Sequence, residues 1–226
     1  MNNQDLLRDS WASLGVAFSN RSSMKYAPEE AILFLINSNE FPEDKKIMSM
    51  ALTWLKDHSR LVHVERLQNL IKDCDKKQLA LLGAIASKCL TFGDHRWKKI
   101  ASFGLKASRS KGFSFHGDEE LLIKMRGHDT DFFRFKIVVT PLQLESNKKF
   151  LSWERVSKEN PWIRFRLLFG SNLRADVATV IFLQLADTAY AAAKYLKFST
   201  SAVYRNWDDL NQAEWKVISR RLDLNS

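Results

Sequence analysis

The stretch AKYLKFSTSAVYRNWDDL, residues 193–210, decides how the C-terminal part of this 226-residue chain is interpreted. Ser199 or Thr200 is a favoured helix N-cap, so the stretch predicts a helix end, a tight turn and a second helix ending near Leu210. Two helices that cross closely need a small residue in the first helix and apolar residues around the turn. The stretch supplies them at Ala193, Leu196, Phe198 and Val203.

Two further helix starts precede this stretch. Asn172 is placed to cap a helix from about Leu173 to Leu185, and Asp187 or Thr188 to cap another from Ala189 to Leu196. The sequence therefore predicts three short helices with tight turns. When such a helix pair binds DNA, the second helix lies in the major groove and the first braces it across the backbone.

Residues 193–210 resemble the helix-turn-helix transcription regulators of bacteria, whose pattern is A-x-x-L-G-V-S-x-S-T-V-Y-R-x-L-x-x-L. With the preceding LRADVATVIFLQL and the tail, residues 160–226 resemble the winged-helix form. RFRLLFGSNLRADV is also similar to antitoxin regulators of the AbiEi type. The chain departs from the regulator pattern at Lys197, where glycine usually makes the left-handed turn, and at Asn206.

The resemblance implies a DNA-contacting face on the second helix. That face comprises Ser199, Thr200, Ser201, Tyr204, Arg205 and Asp208. Arg205 would contact a guanine edge or a phosphate, and the hydroxyl groups would donate to phosphate oxygens at the helix N-terminus. Lys194 and Lys197 would contact phosphates. A short wing from residues 215–224 would bring Arg220 and Arg221 to the minor groove or to phosphates.

The chain is basic, with a formal net charge of +9 and a pI near 9.6. This balance favours a polyanionic partner, with nucleic acid first and an anionic membrane surface second. The charge is concentrated in residues 93–117, where no acidic residue separates Asp94 from Asp118. The basic residues there are Arg96, Lys98, Lys99, Lys106, Arg109 and Lys111. Residues 93–117 are therefore interpreted as a surface that contacts phosphates. The alternative interpretation is an amphipathic helix with its aromatic residues in the core, followed by a solvated basic linker.

Helical periodicity dominates residues 1–92, which predict a helical bundle or a second winged-helix unit. Between the two ends, alternating apolar residues over 133–139 predict a strand. The expected fold is mainly α, with a small β element. The predicted divisions are a helical domain at 1–117, a connecting segment at 118–160 and a helix-turn-helix domain at 161–226.

Other chemistry has weaker signals. His and Asp residues cluster at His116, Asp118, His128, Asp129 and Asp131. A metal-dependent nuclease that uses these side chains as ligands is an alternative function. Their spacing matches no known ligand motif, however, and polar turns explain them better. The two cysteines suggest reduced thiols, and we expect no enzyme activity, metal or cofactor.

The leading hypothesis is a DNA-binding protein, either a bacterial-type transcription regulator or a phage-defence factor, with double-stranded DNA as its partner. The rival hypothesis is a protein-interaction or assembly factor whose helix-turn-helix is structural. A homodimer is possible for either. No secretory signal or apolar run of membrane-spanning length is visible, so a cytoplasmic location and no membrane partner are expected.

Overall fold

A computed structural model describes residues 3–17, 25–38, 45–110, 114–116, 120–145, 150–215 and 218. In these ranges the chain is mainly helical, as predicted, and no helix is long and apolar enough to cross a membrane. The α-helices are α1 (Asn3–Ser13), α2 (Pro28–Asn37), α3 (Lys45–His58), α4 (Val64–Leu70), α5 (Lys76–Thr91), α6 (Lys98–Ser108), α7 (Glu120–Arg126), α8 (Thr130–Phe133), α9 (Trp153–Glu159), α10 (Pro161–Phe169), α11 (Leu173–Phe182), α12 (Ala189–Leu196) and α13 (Thr200–Gln212). Short 3-10 helices occupy Ser59–Leu61, Ile71–Asp73 and His95–Trp97.

The first hydrophobic core extends from Leu7 in α1 to Ile163 in α10, with α5 as a central element. Helices α5 and α6 pack closely against each other in this core. A Cβ atom on Gly104 would lie 2.4 Å from the Cα of Gly83, so only glycine permits this approach of the two backbones. The pairing places one face of α6, with Ile100, Gly104 and Ser108, against the core.

Local sequence explains where these helices begin. Pro28 lies at the first position of α2, and Glu29 and Glu30 follow in its first turn. The Asp75 carboxylate accepts from the Gln78 N–H at 2.8 Å, while the Gln78 side chain accepts from the Asp75 N–H at 2.7 Å. This reciprocal cap starts α5.

The small β element consists of β1 (Phe115–His116) and β2 (Ile137–Val138), which pair in parallel. The strand predicted over 133–139 was wrong in its extent. Phe133 ends α8, and Lys136 has a left-handed φ of 57°. The alternation identified burial correctly for Phe135, Ile137 and Val139, which are core residues, but not for Phe133, which is exposed.

The second core is built from α10 to α13 and Trp215, with Ala27 added from the start of α2. It begins beside the predicted division at residue 161, since Trp162 belongs to the second core and Ile163 to the first. The intervening segment, predicted as a connection, contributes Phe132 and Val156 to the first core.

The helix starts predicted in the C-terminal part are confirmed. Side-chain oxygens of Asn172, Thr188 and Ser199 accept from backbone N–H groups in the first turns of α11, α12 and α13. The first of these helices stops at Phe182, short of the predicted Leu185. The backbone turns there, and Gln184 has a φ of 54°.

Candidate nucleic-acid interface

A tight turn joins α12 to α13. Lys197 has φ 61° and ψ 38°, so this lysine adopts the left-handed conformation that usually falls to glycine. The Phe198 N–H donates to the Ala193 carbonyl at 3.1 Å, and Ser199 then caps α13. The departure from the regulator pattern at Lys197 therefore leaves the turn intact.

The residues predicted to pack the two helices do so. Ala193, Leu196 and Val203 are buried, and Phe198 is half-buried. The ring of Phe198 stacks on His63, with ring centroids 5.4 Å apart and planes 18° from parallel. The turn thus rests on the N-terminal part of the chain.

The outer face of α13 is the predicted one. The predicted residues Thr200, Ser201, Tyr204, Arg205 and Asp208 are exposed there, and together with Asp209 they line a shallow open depression. The first turn has no acidic residue, and the two aspartates lie further along the helix. Asp209 approaches Arg174 of α11 at 4.0 Å, whereas Asp208 accepts from Gln212 at 2.9 Å.

Three cations lie beside this face. Lys194, Lys197 and Arg205 are exposed, and none of them forms an ion pair within the described residues. The N-terminus of α13 adds the partial positive charge of its unsatisfied N–H groups. This end of α13 is therefore suited to an anionic partner.

The basic segment divides into one structural arginine and an exposed group. Arg96 bonds Asp94 at 2.6 Å and donates to the Ser59 carbonyl at 2.9 Å, so its guanidinium fastens two turns together. Lys98, Lys99, Lys106 and Arg109 are exposed on or beside α6. Trp97 is buried and Phe103 half-buried, so these aromatic rings pack inward. The predicted site residues Lys111, Arg220 and Arg221 lie outside the described residues.

A buried ionic cluster connects the N-terminal part to α10 and α11, and the sequence did not reveal it. Arg166 of α10 donates to Glu29 of α2 at 2.8 Å and to Asp176 of α11 at 2.6 Å. Arg66 of α4 donates to Glu29 at 3.1 Å. The four side chains are almost completely buried. We call Glu29, Arg66, Arg166 and Asp176 the ionic cluster.

The cluster also reaches the α12–α13 turn. His63 Nδ1 lies 2.6 Å from Asp176 Oδ2, and the same imidazole stacks against the Phe198 ring. Tyr195 of α12 stacks on Trp162, whose other contacts include the Arg66 guanidinium at 4.7 Å. Helix α12 is therefore linked to the cluster through Trp162, and the turn that follows it is linked through His63.

The carboxylates and guanidiniums of the cluster stabilise each other's charged forms. Burial alone would raise the pKa of Asp176, but Arg166, His63 and Arg66 outweigh it and hold that pKa well below its usual range. Burial alone would lower the pKa of Arg166, but the carboxylates of Asp176 and Glu29 outweigh burial and raise that pKa above its usual range. Burial and the nearby Glu30 carboxylate raise the pKa of Tyr195 to about 12.

One sequence signal could have indicated the cluster. In α10, Arg166 follows Trp162 and Ile163 at helical spacing and therefore lies on the apolar face. A charged residue in such a position requires a buried partner of opposite charge. The signal predicts that a partner exists, but not that Glu29, 137 positions earlier, provides it.

Of the clustered His and Asp residues, Asp129 and Asp131 have structural roles, whereas His128 is exposed and its ring lies against Phe133. Asp129 accepts from the Asp131 and Phe132 N–H groups at the start of α8. Lys88 lies 2.9 Å from Asp129 and 3.2 Å from Asp131. Asp118 and the His116 side chain lie outside the described part of the chain. Among the described residues, no three His, Cys, Asp or Glu side chains are grouped to hold a metal ion.

Comparisons of the chain with protein-family models, with curated proteins and with solved structures find no significant match.

Proposed function

We propose that this protein binds double-stranded DNA through α11, α12 and α13, which act as a helix-turn-helix, with α13 in the major groove. One observation carries the proposal. The first two turns of α13 expose Thr200, Ser201, Tyr204 and Arg205 on one face, next to cations that have no partner among the described residues. The resemblance to transcription regulators supports the same function.

The chemistry of this face suits a duplex. An arginine fork can bind the O6 and N7 atoms of guanine, and serine and threonine hydroxyls donate to phosphate oxygens. Recognition helices of this type read bases with their N-terminal residues. Arg205 lies in that half of the helix, whereas Asp208 and Asp209 lie beyond it.

The position of α12 provides the support that such a helix needs. Lys194 and Lys197 flank the turn and would contact phosphates on either side of the groove. Through Tyr195 and Phe198, the same helix and turn are anchored against Trp162 and His63. A rigid base of this kind lowers the entropic cost of binding.

The proposal is tested by fluorescence anisotropy with a pool of random duplexes, from which bound sequences are also selected and read. Arg205→Ala should weaken binding to selected sequences by about tenfold or more and relax the base preference. Lys197→Ala should weaken binding to all duplexes alike. The matched control is Lys56→Ala, an exposed lysine on α3, which should leave affinity unchanged. Equal affinities for all three variants and the native chain would overturn the proposal.

A second candidate function is binding to another protein through the same face. It is favoured by Asp208 and Asp209, whose charges repel phosphate, and by the exposed ring of Tyr204. Tyrosine is common in protein interfaces. Asp208→Asn separates the two functions. It should raise affinity for DNA if the face binds DNA, and leave any residual DNA binding unchanged if the face binds protein.

A further inference from the structure

We infer that the solvent face of α6 is a second binding surface, which contacts the phosphate backbone of nucleic acid without reading its sequence. The surface comprises Lys98, Lys99, Lys106 and Arg109, and we call it the α6 basic face. The inference deepens the proposed function and rests on it for the choice of duplex DNA as the ligand.

Helical geometry places these cations together. Lys99, Lys106 and Arg109 are separated by seven and three residues, which are spacings that return to one side of a helix. Lys98 adjoins them at the first turn. The exposed residue between them on this side is Ser102, which is small and neutral. Four positive charges therefore line one surface.

The requirements of folding do not explain this charge. Lys98 and Lys99 stand in the first turn of α6, where the positive end of the helix dipole repels cations. None of the four forms an ion pair within the described residues, although Lys99 lies 5.8 Å from the Phe103 ring centroid. The nearest acid along the chain, Asp94, is already bonded to Arg96. An external anion would relieve the repulsion.

The opposite side of α6 keeps the surface in place. Ile100, Gly104 and Ser108 are buried, and Gly104 meets Gly83 of α5 in close backbone contact. A helix fixed in this way presents its cations without first having to fold, which favours binding.

Nucleic acid fits this surface better than a membrane does. A helix that binds lipid inserts exposed apolar side chains into the headgroup boundary. The large apolar residues of α6, Ile100, Phe103 and Leu105, are buried or half-buried against the first core. What remains outside is cationic, and such a surface matches a row of phosphates.

The length of α6 matches several phosphates. Its 11 residues span about 16 Å at a rise of about 1.5 Å per residue. Duplex DNA carries a phosphate about every 3.4 Å along the axis of each strand. The α6 basic face therefore spans a few base pairs.

The test replaces all four cations by glutamine, as Lys98→Gln, Lys99→Gln, Lys106→Gln and Arg109→Gln. The control variant replaces four exposed cations elsewhere, as Arg8→Gln, Lys56→Gln, Lys72→Gln and Lys158→Gln. Both variants lower the net charge from +9 by four, to +5, so bulk charge is matched. Thermal unfolding is measured for each, to establish that both remain folded. Affinity for a random-sequence duplex is then measured over a range of salt concentrations.

We expect the α6 variant to lose at least about tenfold in affinity at low salt and the slope of log affinity against log salt to fall by about two to four. The control variant should change both quantities much less. Equal changes in the two variants would overturn the inference, because bulk charge would then account for the effect. A variant that keeps its DNA affinity but no longer binds phosphatidylserine vesicles would also overturn it, in favour of a membrane.

Failure of this inference is distinguishable from failure of the proposed function. If Arg205→Ala and Lys197→Ala weaken binding and the α6 variant does not, the role proposed for the helix-turn-helix is supported and the inference of a second surface is overturned. If only the α6 variant weakens binding, the α6 basic face stands as a nucleic-acid surface and the role proposed for α13 falls.

Discussion

The arginines inside this protein differ sharply from those on its α13 and α6 surfaces. Arg66 and Arg166 are almost fully buried, and both are bonded to carboxylates of the ionic cluster. Arg205 and Arg109 are exposed and have no ion-pair partner among the described residues. In the cluster, two guanidiniums balance two carboxylates, so it adds nothing to the net charge. The same residue type holds the fold together in one place and is free for a partner in the other.

Loss of an interior arginine should lower the free energy of unfolding more than any other substitution proposed here. Arg166→Met leaves Glu29 and Asp176 buried without their main partner, so we expect the free energy of unfolding to fall by about 3–5 kcal/mol. Urea unfolding followed by circular dichroism measures this change. Arg205→Met is the matched surface control and should stay within about 0.5 kcal/mol of the native chain. A loss below about 1 kcal/mol for Arg166→Met would remove the distinction between the two regions.

The difference between the regions also explains what could be predicted from the sequence. Caps and helical spacing are local, and they correctly predicted the starts of α11, α12 and α13 and the exposure of Arg205. The ionic cluster depends on contacts between residues far apart in the chain, so no local pattern could pair Arg166 with Glu29.

The basic segment shows an intermediate case. Composition predicted that its cations would be exposed, which holds for Lys98 and Lys106. It could not show that Arg96 would bond the carbonyl groups of the Ser59–Leu61 turn, because that contact is made in three dimensions. The strand over 133–139 failed for a related reason. Alternating burial there arises from a short helix and a turn as well as from extended backbone.

A half-buried histidine that packs between two tryptophans extends the comparison. His58 lies between Trp54 and Trp153, with ring centroids 5.4 Å and 4.1 Å away. Burial is the main cause that lowers its pKa to about 4, so the folded state disfavours the protonated ring. In the unfolded chain a histidine titrates near pH 6.5. The stability that neutral His58 contributes is therefore present above about pH 6.5 and is lost as pH falls towards 4.

His58→Phe checks this dependence, because phenylalanine keeps an aromatic ring between the two tryptophans and cannot be protonated. The urea concentration at the unfolding midpoint of the native chain should decrease when the pH is lowered from 7 to 5. The midpoint of the variant should decrease less. Identical pH dependence in the two proteins would mean that His58 is as easily protonated in the folded state as in the unfolded one.

The smallest expected effect separates folding from binding at a single residue. The left-handed backbone conformation of Lys197 costs about 1 kcal/mol of stability. Glycine would remove this strain, but it would lose more backbone entropy on folding than lysine does. Lys197→Gly should therefore raise the free energy of unfolding by at most about 1 kcal/mol. Because the cation is lost, affinity for all duplexes should fall. Lower stability together with unchanged DNA affinity would place Lys197 among the structural residues.

We propose above that the exposed cations of α13 and α6 bind DNA. This proposal is tested most directly by measuring the affinity of the native chain for a random duplex by anisotropy at about 50 mM and 200 mM salt. We predict measurable binding at the lower salt concentration and a steep loss of affinity at the higher one, since each neutralised phosphate releases counterions. Absence of binding at low salt by a folded protein would contradict it.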